Sequence, residues 1–533
     1  MERWQVGNVY VISAVAFIGG ALFGFDISSM SAILGTQSYK CYFNQQGITL
    51  TSEGIPMCGG PRPAVQGGIT AAMPAGSWLG AILSGLISER LGRKKTIMVG
   101  AVIWILGSIV VCAAQNIPML VAGRIVNGFS VGIQSAQAPV YISEMAPPSK
   151  RGRLVGLQQW AITWGILILY YVSYASSFLG GDDADHIHMS VFRIPWGVQM
   201  IPAFLLFFAM MFLPESPRWL AQKGRWDECH RVLTLVHGKG DPDSPFVLFQ
   251  LNDIREMCAL DARDADVTYL ELLKPRMLNR THIGVFTQIW SQLSGINVMM
   301  YYVTYVFAMA GYQGNANLLA ASIQYVINVL MTIPALIWLD RWGRRRTLMA
   351  GAFFMMAFMF ANGAVLARHA EVMPDGVNGQ LEVSMQLRGA PAKALIAGTY
   401  LFVASFAPTW GPVSWVYPPE LYPLRARGKA VALSTSSNWA FNTALGAFVP
   451  PAFARIRHHV YVIFGCFNLA MLIHVALLFP ETAGKTLEDT ERMFEHPGGL
   501  PYLGVPAWRT RVEFTMASDR ERDLLQDDKP FPR

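Results

Sequence analysis

Twelve apolar runs, each long enough to cross a bilayer as one helix, lie along this chain as six, a polar break and six more. They fall near residues 9–33, 66–88, 96–114, 118–142, 154–177 and 194–213, then 283–310, 317–339, 347–367, 393–418, 429–453 and 459–479. Inside lipid every backbone N–H and C=O must be satisfied by the chain itself, and runs of this length achieve that as helices. The expected fold class is an all-α membrane protein with twelve transmembrane helices in two six-helix halves. Charged residues are 14% of the chain, against roughly 25% in soluble domains, which argues against a cytosolic enzyme. The first run has full span length and no small-residue cleavage site after it, so it is expected to stay as a helix rather than leave as a signal peptide.

The short loops set the orientation. Arg90, Arg93, Lys94 and Lys95 follow the second run, Lys150, Arg151 and Arg153 the fourth, Arg341, Arg344, Arg345 and Arg346 the eighth, and Arg425, Arg427 and Lys429 the tenth. The positive-inside rule places these loops and both termini in the cytoplasm. The net charge of +7 is read in that way rather than as affinity for nucleic acid. The expected domains are a cytoplasmic N-terminus over 1–8, an N-terminal half over 9–213, a cytoplasmic helical linker over 214–282, a C-terminal half over 283–479 and a cytoplasmic tail over 480–533. The one N-x-S/T sequon, Asn279-Arg280-Thr281, falls in the linker and is expected to stay unglycosylated. On the opposite side, the long loop 34–65 carries Cys41 and Cys58; a disulfide is permitted there, and so are two free thiols. No CxxC or Cys/His cluster has metal-ligand spacing, so neither a metal nor a cofactor is expected.

The halves repeat one another. Glu89-Arg90-Leu91-Gly92-Arg93-Lys94 matches Asp340-Arg341-Trp342-Gly343-Arg344-Arg345, Glu144 to Arg151-Gly152 matches Glu420 to Arg427-Gly428, and Pro214-Glu215-Ser216 matches Pro480-Glu481-Thr482. Such internal repetition marks transporter folds. The charges either serve topology alone or form interdomain ion pairs. In the second reading Glu89, Arg93, Glu144, Arg151 and Glu215 of one half, with Asp340, Arg344, Glu420, Arg427 and Glu481 of the other, latch the cytoplasmic side, and breaking them favours the inward-open state.

Polar residues inside the runs are few. Gln288 and Gln292, at i and i+4, share one helix face just before a Gly295-Ile296-Asn297 break that frees backbone groups. Asn438 and Asn442 are again i and i+4, Asn328 is isolated in the eighth run, and Gln159 lies early in the fifth. Alone, each is equally well a polar tie between helices. Asp26, well inside the first run, is costly there and is a functional candidate by default; Arg124 is the cation similarly placed in the first half.

Gly85 to Lys95, Gly123-Arg124 with Gly128, Pro139 to Arg151-Gly152, Pro214 to Arg218, Gln292 to Asn297, Asp340 to Arg345 and Pro480-Glu481-Thr482 occur in an order that resembles the sugar porters of the major facilitator superfamily. The resemblance spans roughly residues 9–490. Leu154 to Gly165 and Trp410 to Trp439 look most like fungal high-affinity glucose and related monosaccharide porters, with fungal quinate porters second. It implies two pseudo-symmetric halves, a hexose-binding set of Gln159, Gln292, Ile296, Asn297, Asn328, Trp415 and Asn442, and support from Gln288 and Asn438. Sugar is a ring of hydroxyls with apolar faces, which bidentate amides and an indole suit. A helix break at Gly411-Pro412 is expected to lay Trp415 against the ring. Tyr301 and Tyr302 resemble an extracellular gate. The resemblance implies that Asp26 pairs with Arg124 and acts as proton acceptor, with Phe23 and Phe25 expected to sense occupancy; the alternative is a static structural ion pair. Three positions depart from the family: Glu89 where Asp is commoner, Ser291 where Gln is common, and Ala407 where some animal members have Glu.

The expected function is proton-coupled uptake of a monosaccharide, glucose or a related hexose or pentose, across the plasma membrane by alternating access, with protons as the coupling ion. The working unit is expected to be a monomer in the bilayer, without nucleic acid. Alternatives are a facilitative sugar or quinate transporter and a non-transporting nutrient sensor, against which the short stretch after Pro480 argues. No nucleophile elbow, phosphate loop or HExxH supports an enzyme.

Overall fold

The computed structural model describes residues 6–483 except 51–55, 148–150, 181–185, 239, 262–267, 313, 374–375 and 378–382, together with Thr490 and Phe494. The N-terminal half comprises α1 (Val9–Ser31), α2 (Pro63–Leu91), α3 (Arg93–Cys112), α4 (Ile117–Met145), α5 (Arg151–Ser177) and α6 (Ser190–Val198 continuing as Met200–Met211). The C-terminal half comprises α7 (Pro275–Leu293, then Ile296–Tyr301 and Val303–Met309), α8 (Gly314–Trp342), α9 (Arg344–His369), α10 (Ala390–Phe406, then Trp410–Leu421), α11 (Leu424–Ile456) and α12 (His459–Leu478). Between the halves run the short helices Pro217–Gln222, Trp226–Val236 and Pro245–Asp261. The buried sequon residue Asn279 lies inside α7, about one turn before the span becomes apolar.

Nine helices among the described residues are apolar and long enough to cross a membrane on composition alone. Those that complete the twelve, α4, α7 and α11, carry Arg124, Gln288, Gln292, Asn438 and Asn442, the polar residues that depress their hydropathy.

Local sequence explains the helix ends. Asn8 and Asn116 cap α1 and α4, each side-chain oxygen accepting from a backbone N–H of the first turn. Gly92 and Gly343, at φ 92° and 83°, make the tight α2–α3 and α8–α9 turns at matching places of the repeat. A Cβ at either would run into a carboxylate, Glu215 or Glu481.

Within the N-terminal half α2 packs along α4 through Gly76, Gly80, Gly128 and Gly132, where a Cβ would meet the facing backbone. The halves meet along α2–α11 and α5–α8. On the face away from the linker, loop 34–65 folds into a helix at Gln37–Tyr42 and an antiparallel pair, Ile48–Leu50 with Pro56–Cys58. Of the two alternatives open for its cysteines, the structure has the disulfide Cys41–Cys58, with Cα atoms 5.1 Å apart.

Candidate functional site

The break in α7 forms at Gly295, whose φ of 92° lets the chain restart as Ile296–Tyr301. It brings Asn297 back onto Gln292, whose Oε1 accepts from Asn297 Nδ2. Gln292 Nε2 donates to Asn438 Oδ1 at 2.9 Å, Asn438 Nδ2 donates to Gln288 Oε1 at 2.7 Å, and Gln288 Nε2 donates to the Ser414 carbonyl at 2.7 Å. Four amides from α7 and α11 therefore form one chain. Each has a donor and an acceptor that a ring hydroxyl can take over.

Gln159 of α5 faces this chain from the other half and accepts from Trp415 Nε1 at 3.1 Å. Trp415 lies one turn into the second piece of α10, but the break differs from the sequence expectation: it falls at Ala407–Thr409, before Gly411-Pro412. Proline is tolerated in the first turn of a helix, where its missing N–H has no partner to lose, so Pro412 starts the piece rather than interrupting it. Asn328, Asn442 and Tyr301 hold buried polar atoms for which the described residues supply no hydrogen-bond partner of good geometry. Tyr302 instead donates to the Gly446 carbonyl at 2.8 Å and stacks on Tyr305, tying α7 to α11.

Asp26 and Arg124 are each 1% exposed. Arg124 Nη1 and Nη2 donate to Asp26 Oδ1 and Oδ2 at 3.3 and 3.1 Å, a fork that leaves Nε to donate to the Ile69 carbonyl at 2.9 Å. One helical turn before Asp26, Phe23 meets Trp439 of the other half edge to face, with centroids 4.7 Å apart. Trp439 Nε1 also donates to Ser135 Oγ of α4 at 3.0 Å. Phe25 is buried in α1.

Phe23, Gln159, Gln292, Ile296, Asn297, Asn328, Trp415 and Asn438 line one central cavity of 40 Å³. About 10–15 Å³ of such space seats one water, so this cavity holds about three and no sugar ring. Tyr325 bonds Ser31, and Tyr170 bonds the Leu318 carbonyl, across the halves on the face away from the linker. The site is closed.

The charged motifs on the linker face pair differently from expectation. Arg93 forks onto Glu144 at 3.1 Å within the N-terminal half, and Arg344 forks onto Glu420 at 2.8 and 3.2 Å within the C-terminal half. Glu215 accepts from the backbone N–H groups of Arg93 and Lys94, and Glu481 from those of Arg344 and Arg345. Interdomain pairing is thus corrected for Glu144, Glu215, Glu420 and Glu481: these carboxylates fasten the helix ends of their own half, because the tight Gly92 and Gly343 turns point the α3 and α9 N-termini at them. Among the described residues the pair that crosses the halves is Glu89–Lys429, at 2.9 Å. Arg427 donates to the Tyr422 carbonyl at 3.2 Å. The side chains of Arg151 and Asp340 lie outside the described residues.

Sequence reasoning missed Trp439 and Ser135 as a tie between halves, and Ser216 and Thr482, whose hydroxyls donate to Glu144 and Glu420. The signal for the second pair was present, since both follow the repeated Pro-Glu. Tyr141 and Tyr417, which donate to the Pro214 and Pro480 carbonyls at 2.6 Å each, repeat in the same register.

A family model described as sugar (and other) transporter matches residues 12–494. The chain is 43% identical over 98% of its length to the MFS glucose transporter mfs1 of Aspergillus flavus, covering 95% of that protein. It is 44% identical over 95% of its length to a high-affinity glucose transporter of Kluyveromyces lactis, covering 87% of it. Among solved structures, the proton:xylose symporter XylE bound to 6-bromo-6-deoxy-D-glucose superposes with a TM-score of 0.76 at 28% identity, over 91% of this chain and 99% of that one. With this fold and this match, the chain belongs to the sugar transporter family of the major facilitator superfamily.

Proposed function

We propose that the protein carries a monosaccharide of the glucose type, together with a proton, into the cell across the plasma membrane, with the linker and both termini in the cytoplasm. One observation carries the reading: the buried Asp26–Arg124 fork and the amide chain are joined through Phe23, which shares α1 with Asp26 and touches Trp439 beside Asn438. An unused structural ion pair would need no such link.

The cycle follows from the geometry. Removal from water favours the neutral carboxyl of Asp26, and Arg124 favours the carboxylate. A proton on Asp26 cancels the attraction and frees α1 to shift against α4, while Arg124 keeps the Ile69 carbonyl. The shift moves Phe23 on Trp439 and so alters the sugar side. Sugar, by displacing the amide bonds of Gln292 and Asn438, pulls on the same contact. Coupling of this kind is reciprocal: a proton raises sugar affinity by the factor by which sugar raises proton affinity. The halves then rock about the site. No bond is made or broken, so no cofactor is called for, and one chain contains the whole site.

The test is uptake by cells lacking their own hexose transport, at acidic outside pH, with and without a protonophore. Glucose accumulating above its outside concentration and collapsing with protonophore is the expected result. Equilibration indifferent to protonophore means a facilitator in which Asp26–Arg124 is structural, and absence of uptake for any monosaccharide moves quinate or sensing forward.

A further inference from the structure

The junction of α11 and α12 reads Arg455-Ile456-Arg457-His458-His459, with Arg457 and His458 between the helices. It lies on the face away from the linker, where the positive-inside rule expects few cations, and nothing in the transport cycle uses it. Arg457 has φ 53° and ψ −125° and is the one described residue other than glycine with positive φ. An L side chain is strained in that region. If the chain needed only the turn, glycine would make it without strain. The Arg457 Nε is also buried and, among the described residues, has no hydrogen-bond acceptor.

Arg455, Arg457, His458 and His459 line a single cavity of 660 Å³, and among the described residues no carboxylate lines it. The first turn of α12, which starts at His459, adds the positive end of its dipole. The remaining wall is apolar. Ala367 of α9 and Val462 of α12 are exposed there, on two helices apolar and long enough to cross a membrane. The 750 Å³ cavity between the linker and α3 is different, because Glu215 and Glu228 stand among its lysines and arginines and balance them from within.

A cationic end and an apolar flank that opens sideways fit an amphiphile with an oxyanion head. Guanidinium matches phosphate oxygens in shape as well as charge. We propose that this cavity binds a phospholipid of the leaflet opposite the linker, with its phosphodiester held by Arg455, Arg457 and the two imidazoles and an acyl chain along Ala367 and Val462. The inference rests on the membrane-spanning fold and stands whichever sugar or ion is carried.

The experiment is native mass spectrometry of the full chain in mild detergent with added dioleoyl phosphatidylglycerol, dioleoylglycerol or inorganic phosphate, alongside melting temperatures. The wild type is expected to retain one phosphatidylglycerol under conditions that leave no dioleoylglycerol bound. Arg457→Gly is expected to lower that retention at least fivefold. Its melting temperature in lipid-free detergent should equal or exceed that of the wild type, since glycine adopts the backbone without strain. Should that variant not accumulate, Arg455→Gln with His459→Gln, both at exposed positions, carries the same expectation of lost lipid. Equal lipid retention by variant and wild type overturns the proposal. So does a melting shift from inorganic phosphate as large as that from the phospholipid, which would assign a soluble oxyanion. Asp375 and Glu382, between α9 and α10 in the sequence, lie outside the described residues. If Asp375→Asn with Glu382→Gln lowers stability while Arg457→Gly leaves lipid retention intact, the arginine is paired within the chain and the site does not exist.

Discussion

At the scale of single residues, Asp26 and Asn438 separate the two halves of the transport problem. Asp26→Asn keeps the shape of the carboxyl but leaves Arg124 buried without its counter-charge, a loss of about 3–5 kcal/mol when one partner of a buried pair is removed. The variant is expected to fold less stably and to lose accumulation against a gradient while still exchanging labelled for unlabelled sugar. Retained accumulation would end the role given to Asp26. Asn438 both accepts from Gln292 and donates to Gln288. Its replacement by alanine leaves buried amides unsatisfied, at about 1–3 kcal/mol, so KM should rise roughly tenfold or more with protonophore sensitivity preserved; an unchanged KM would remove it from the site. The amides and Asp26 were legible in the sequence because a polar residue inside an apolar run stands out. Trp439 was not, since an aromatic in such a run has no contrast, and its partner Ser135 lies in another helix more than three hundred positions away.

At the scale of elements, glycines decide how closely helices approach. Gly128 of α4 faces the Met73 carbonyl of α2 so closely that a Cβ would overlap it. Gly128→Val must separate the two helices along the stretch next to Arg124. The expected result is a lower melting temperature in detergent and a weaker hold on Asp26; a variant as stable as the wild type would mean that the approach is not needed. The linker has its own sensitivity. Burial, with the Arg218 charge nearby, holds His237 down at about 4. A histidine depressed from the ordinary value of about 6.5 binds protons better in the unfolded chain, so linker stability is complete above that value and is lost as pH falls toward 4. Amide exchange across Trp226–Val236, corrected for intrinsic rates, should be faster at pH 5 than at pH 7, and equal protection would contradict this. The length of the apolar runs gave the existence of the spans, but the α10 break was misplaced because Gly411-Pro412 reads as a stop when it is a start. That distinction depends on where the preceding helix loses its bonds, at Ala407–Thr409, which no local residue type announces.

At the scale of the whole molecule, the repeat was readable as paired motifs, whereas their partners were not, because a motif gives a charge its place on the chain and not the direction it points. The pairs inside each half have a consequence for opening. Arg93 binds Glu144 and also donates to the Ser88 carbonyl at the end of α2, next to Glu89. The N-terminal latch therefore holds Glu89 where it meets Lys429 of the other half. The crossing pair itself is weak, since Glu89 is 41% exposed and a wet ion pair contributes about 0–1 kcal/mol. The Arg93–Glu144 and Arg344–Glu420 pairs are far drier, with side-chain exposures of 4% and 1%, and 4% and 14%. Removing one partner from each strips a dry arginine of its forked carboxylate at a helix junction. Glu144→Gln with Glu420→Gln should thus shift the closed molecule toward opening on the linker face much more than Lys429→Ala does. Ser291 lines the central cavity and serves as reporter. A Ser291→Cys chain, with the cysteines outside the disulfide, Cys112, Cys229, Cys258 and Cys466, replaced, can be labelled by an impermeant thiol reagent added to the linker face. The double carboxylate variant is expected to raise that rate about tenfold or more, and Lys429→Ala by less than about fivefold, the factor that 1 kcal/mol allows. The reverse order would show that the halves are clasped directly by the crossing pair, and that the buried forks only shape the helix ends.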